Sequence, residues 1–173
     1  MSLNSNIPAS NFQINSEIES IRQLGEGNIH ETFVVKTKGD NSYDYLLQRK
    51  NKKVFRDIPA MMQNISKVCN HLKKKVEDKG LDPLKYSLTL IPALDGKYYF
   101  LDKEGEYWAM CLFIKDSLTF QNPSDSMVAM AGGKGTGDFH NMLSDFNEPL
   151  TDILPGFHNM RFRFEQWDGV IGR

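Results

Sequence analysis

Gly25-Glu26-Gly27-Asn28 is the stretch of this chain best suited to hold phosphate. Two closely spaced glycines let a backbone bend sharply and bring its N–H groups near an anion. Further on, Tyr45-Leu46-Leu47-Gln48-Arg49 reads as an extended strand ending in polar and basic side chains. A β-hairpin lid beside such a strand closes over phosphates and presents polar groups to them. The glycine tetrapeptide alone is more often a plain hairpin turn, because short glycine patterns are weak. Its position, between two strands and ahead of a third strand and a helix, shifts the balance toward phosphate.

Other chemistry is poorly served. Gly132-Gly133-Lys134-Gly135-Thr136-Gly137 imitates a phosphate-binding P-loop, but Lys134 is followed by glycine and no apolar strand precedes the run. No Ser/His/Asp arrangement, nucleophile elbow or pair of metal-binding acids is present. His30, His71, His140 and His158 have no metal-ligand spacing. Cys69 and Cys111 both sit within apolar patterns and read as small buried hydrophobes without a disulfide. A formal net charge of −1 over 173 residues argues against a nucleic-acid partner. The one basic cluster, Lys73-Lys74-Lys75, ends a helical pattern and suits a helix C-terminus. No segment has the length and apolarity to cross a membrane, so a cytoplasmic protein is expected.

The elements that must position the glycine turn follow from periodicity. Residues 17–24 alternate as a strand with Ile18, Ile21 and Leu24 inward; residues 32–37 and 43–49 form two more, joined by short turns. Ile58, Met61, Met62, Ile65, Cys69, Leu72 and Val76 fall on one helical face, with Asp57 as cap, Pro59 in the first turn and Gly80 beyond the end. A strand over 86–90 and a hairpin of 97–101 with 107–114 complete a β-β-β-α-β-β-β order. The expected fold class is α+β, an antiparallel sheet of about five strands with one packed helix. Phe12 and Ile14 are expected to tuck against it. Phe113-Ile114-Lys115-Asp116 leaves the last strand for a polar segment, as a hinge between lobes does.

Beyond the hinge, residues 124–146 show helical apolar spacing, yet four glycines at about 1 kcal/mol each favour a loop by propensity. Residues 149–153 suit a short helix. Phe162, Phe164 and Trp167 begin another amphipathic pattern.

At Gly25-Glu26-Gly27-Asn28-Ile29-His30-Glu31-Thr32-Phe33, Tyr45 to Asn51, Val54-Phe55 and Met62-Gln63-Asn64-Ile65, the chain resembles the aminoglycoside phosphotransferase-like kinase family. Its N-acetylhexosamine 1-kinase branch is the most similar. The likeness continues through Phe113-Ile114, Gly137-Asp138-Phe139-His140, Pro155-Gly156-Phe157-His158 and Arg163-Phe164-Glu165. It implies a kinase-like small lobe over 1–116 with its hinge, and the start of a helical large lobe over 117–173. Residues 124–146 then form a helix of that large lobe.

The resemblance implies transfer of the γ-phosphoryl group of ATP, with Mg²⁺, to a sugar hydroxyl. Gly25, Glu26 and Gly27 would cover the phosphates; Phe113, Ile114 and Lys115 would form the hinge beside adenine; Asn28 would face the sugar. Where such kinases carry a strand lysine, alternation here places Gln48. Either Gln48 makes a neutral phosphate contact or a local bulge turns Arg49 inward. The helix offers no glutamate to pair with such a lysine, only Gln63 and Asn64.

The family's catalytic loop and metal-binding aspartate have no counterpart in these residues. The expected complete protein is a sugar kinase, with this chain its inactive N-terminal part. A different class of reading is a non-catalytic remnant that binds nucleotide or forms a homodimer through the surface around Phe157, Phe162, Phe164 and Trp167. A kinase for an aminoglycoside or choline hydroxyl stays open as well.

Overall fold

Alternation and turn chemistry in the first third of the chain produce three antiparallel strands. In the computed structural model, which describes residues 7–25, 29–39, 42–115, 117–118, 120, 122 and 125–172, these are β1 (Ile18–Gln23), β2 (Glu31–Thr37) and β3 (Tyr45–Lys50). Three further strands follow: β4 (Leu90–Ile91), β5 (Phe100–Leu101) and β6 (Tyr107–Leu112). The sheet order is β1-β2-β3-β6-β4, and β5 also pairs with β6. Every pairing is antiparallel. The expected α+β class, with an antiparallel sheet, is what the structure has.

A register shift between Ile18 and Ser20 explains how Ile18 and Ile21 come to the same apolar side. Leu24 lies exposed past the strand's end. The two sheet faces are covered differently. Val35, Tyr45, Leu47, Trp108 and Met110 face the N-terminal segment, where Ala9 and Phe12 are buried. Phe12 forms a bridge with Ala93, and Gln13 N donates to the Pro92 carbonyl at 2.9 Å.

The opposite face carries helix α1 (Ile58–Asp78), with Ile58, Met61 and Met62 packed on Ala109. Asp57 caps it by accepting a hydrogen bond from Ala60 N at 2.9 Å, and Pro59 sits in the first turn, where a proline costs no hydrogen bond. Full burial of Ile58, Met62 and Leu47 contributes about 1.5–3 kcal/mol for each side chain.

Two expected elements differ. The strand over 86–90 is replaced by the short helix α2 (Pro83–Tyr86), leaving only Leu90 and Ile91 in β4. Asp82 caps α2 through Leu84 N at 3.0 Å and Pro83 fixes its first turn, which outweighs the local alternation. The helix expected over 149–153 does not form; α1 side chains bind the backbone there instead. Asn64 Nδ2 donates to the Thr151 carbonyl at 2.7 Å, and Thr151 N donates to Asn64 Oδ1 at 3.0 Å. Lys67 Nζ donates to the Pro149 carbonyl at 2.7 Å, and the His71 Nε2–H donates to the Met142 carbonyl at 2.9 Å. Lys75 forms an ion pair with Asp145. Ile153 packs on the Ile58–Met62 cluster.

Residues 126–142 are the helix α3 (Ser126–Met142), so propensity alone misjudged its four glycines. Asp125 caps it through Met127 N at 2.8 Å. Nothing lies within 4 Å of a Cβ built on Gly132, Gly133, Gly135 or Gly137, so no close approach within the described chain requires them. Helix α4 (Met160–Ile171) follows, and neither α3 nor α4 buries a residue. Gly156 is fixed by two demands: its φ is +73°, and a Cβ there would collide with the Phe162 ring. Phe157, Phe164 and Trp167 are exposed. Among the described residues no helix is long and apolar enough to cross a membrane.

Candidate functional site

Pairing register decides which side chains of β3 meet. Glu31 lies opposite Arg49, and Thr32 opposite Gln48, which in turn faces Ala109 of β6. Alternation therefore puts Leu46, Gln48 and Lys50 on the face that carries α1, and Tyr45, Leu47 and Arg49 on the other. The ladder runs without a shift from Tyr45 to Arg49 against β2 and from Tyr45 to Lys50 against β6. Arg49 is not turned inward by a bulge; it pairs with Glu31 on the opposite face. Of the two side chains considered for phosphate, Gln48 alone faces α1.

Gln48 is held on both sides. Its Nε2 donates to Thr32 Oγ1 at 3.3 Å, and its Oε1 accepts from Lys50 Nζ at 2.7 Å. Lys50 is only 7% exposed. No carboxylate forms an ion pair with it among the described residues, and burial lowers its pKa from 10.5 to about 8. Lys50 is hard to single out from sequence because it lies at the strand's polar end among other cations. The signal available was its spacing of two from Gln48, which places both on one face.

His30 belongs to the same cluster. Its Nδ1 accepts the Asn51 amide at 3.2 Å, so the neutral ring carries its proton on Nε2. The ring lies 5.4 Å from that of Phe55. Burial, and then the Lys50 charge, lower its pKa. On the neighbouring strand, burial pushes the Cys111 thiol up to about 11, which keeps it protonated and unreactive.

Two cavities lie at opposite ends of the sheet. At the glycine end, one of about 320 Å³ is lined by Ile29, Glu31, Glu106 and the run Arg49 to Lys53. Two of its cations are neutralised, Arg49 by Glu31 and Lys52 by Glu106 at 2.7 Å. Lys50 and Lys53 have no ion-pair partner among the described residues, so the wall is cationic. Gly25, with φ +61° and nothing within 4 Å of an added Cβ, starts the turn at this end. Glu26, Gly27 and Asn28, the remaining residues of the expected lid and sugar contact, lie outside the described residues.

At the other end, a cavity of about 790 Å³ is lined by Ser42, Tyr43 and Asp44, by α2, and by Phe113, Ile114 and Lys115. The Phe113 amide donates to the Asp44 carbonyl at 2.9 Å, and Lys115 Nζ lies 3.4 Å from Asp44 Oδ2. The expected hinge residues thus line a cavity, and it is separate from the one at the glycine end. Four residues of β3, Tyr45 to Gln48, lie between Asp44 of the one and Arg49 of the other, roughly 17 Å of strand over the intervening steps.

Among the described residues no group of three His, Cys, Asp or Glu side chains is placed to hold a metal ion. The donor set is cationic and amide-bearing; it fits phosphate oxygens and not Mg²⁺. No protein-family model matches the sequence.

Proposed function

We propose that this chain is the nucleotide-binding lobe of an ATP-dependent sugar kinase similar to the aminoglycoside phosphotransferase-like family. The observation that carries the reading is the cationic, amide-lined strand end beside the Gly25 turn, with Lys50 buried and no carboxylate paired to it among the described residues. Phosphoryl transfer depends on electrostatic stabilisation and positioning of a polyphosphate, and such a strand end supplies both. The order β1-β2-β3-β6-β4, with α1 between β3 and β4, supports a small-lobe arrangement. The larger cavity beside Phe113, Ile114 and Lys115 is where the base would lie.

The lobe holds ATP by its phosphates; the described residues offer neither a general base in a matching loop nor a Mg²⁺ site. The choice of an N-acetylhexosamine as acceptor rests on the resemblance to that branch, which implies Asn28 as the sugar contact. In the test, a full reading frame containing this chain is incubated with ATP, Mg²⁺ and a panel of N-acetylhexosamines. A sugar 1-phosphate is expected, and absence of turnover across the panel refutes the acceptor assignment. The chain by itself is expected to bind ATP and yield no product.

A further inference from the structure

We infer that Lys50, two residues beyond the strand position that such kinases give to lysine, is the cation that takes the nucleotide's phosphate oxygens, with Gln48 positioning its ammonium and His30 supplying a second donor. The inference deepens the nucleotide-binding reading and rests on it.

Two residues of strand span roughly 6.6 Å, a distance a lysine side chain can cover. Lys50 does so: its side chain folds back along β3 until Nζ reaches Gln48 Oε1 at 2.7 Å. The ammonium thus stands beside the position where the strand lysine is missing. Gln48 turns its amide nitrogen toward Thr32 Oγ1 at 3.3 Å, which takes one of its two N–H donors, and its oxygen toward Lys50. A lysine ammonium has three donors, and among the described residues only this one neutral acceptor is supplied. Burying a cation without a counter-charge is unfavourable, and an incoming phosphate oxygen relieves that cost.

His30 lies one residue before β2, beyond the last β2–β3 pair Glu31–Arg49, and the Lys50 charge acts on its ring. The Asn51 amide occupies Nδ1, so Nε2–H is a neutral donor, and no described group accepts it. The titratable neighbours around Lys50 are His30 on the β2 side, and Cys111 and the cross-strand partner Tyr107 on β6. Arg49 is on the opposite face and already paired. None of the three neighbours is a carboxylate.

The test is calorimetric titration with ATP, ADP and adenosine, using the wild-type chain, Lys50→Met, the transposed pair Gln48→Lys/Lys50→Gln, and the surface control Lys38→Met. Lys50→Met is expected to weaken ATP binding about tenfold or more while leaving adenosine binding unchanged. The transposed pair is expected to recover most of that loss, and the control to match wild type. Above about pH 8, ATP binding to wild type is expected to take up protons, and to Lys50→Met not to do so. Unchanged ATP binding in Lys50→Met, or equal losses for ATP and adenosine, overturns the assignment and leaves the nucleotide-binding reading standing. A transposed pair no better than Lys50→Met also overturns it. If wild type binds neither ATP nor ADP, the reading beneath the inference fails as well.

Discussion

Replacing Lys50 by methionine removes a buried ammonium while keeping an unbranched side chain of similar reach. Burial lowers the Lys50 pKa from 10.5 to about 8. At about 1.4 kcal/mol per pH unit, holding the proton in the folded state costs about 3 kcal/mol. Below about pH 8 the lysine is charged both folded and unfolded, and the cost is present in full. Between about pH 8 and 10.5 the unfolded chain holds the proton and the folded chain releases it, so stability rises with pH. Methionine avoids the cost but leaves Gln48 Oε1 without its donor, an offset of about 1 kcal/mol. The variant should therefore be more stable than wild type by about 2 kcal/mol near neutral pH, a magnitude in the range seen when buried charges become apolar. Urea denaturation near pH 7 and near pH 10 measures the difference, and titrating groups shared by both proteins cancel. A variant less stable than wild type near pH 7, or a difference unchanged at the higher pH, refutes the reasoning. The expected trade, stability gained and phosphate affinity lost, is characteristic of a residue retained for function.

Three further outcomes are expected. Asn64→Ala removes the reciprocal pair of hydrogen bonds to Thr151; it should cost about 1–2 kcal/mol and raise amide exchange over 149–153 more than elsewhere, measured by hydrogen–deuterium exchange. Asp57→Ala removes the cap on Ala60 N and should lower stability by about 1 kcal/mol in denaturant titration, without altering nucleotide affinity. Gly25→Ala meets no neighbouring atom within 4 Å, so its cost comes from φ +61° alone, about 1 kcal/mol in the same titration.

The meander and α1 were readable because their signals are local. Ile58 to Val76 needs only helical spacing and the Asp57 and Pro59 signals, and β2 and β3 need only alternation and turns. The α2 helix was also written locally, in Asp82-Pro83, but the alternation that follows hid it. The Asn64–Thr151 clasp joins residues 87 positions apart, and no periodicity records such a contact. It nevertheless decides that residues 149–153 form no helix. Lys50 shows a different limit: alternation gives the face of a residue but not the path of a long side chain. That its ammonium returns to Gln48 depends on Thr32 fixing the amide from the next strand. Register between strands supplies that fact, and sequence spacing alone does not.

The most direct measurement of the central claim is calorimetric titration of this chain with ATP near neutral pH. Saturable binding at one site is expected, competed by ADP and weakened by added salt, as where cations meet phosphates. ATP that produces no saturable heat up to millimolar concentration, or binding that ADP does not displace, contradicts the claim.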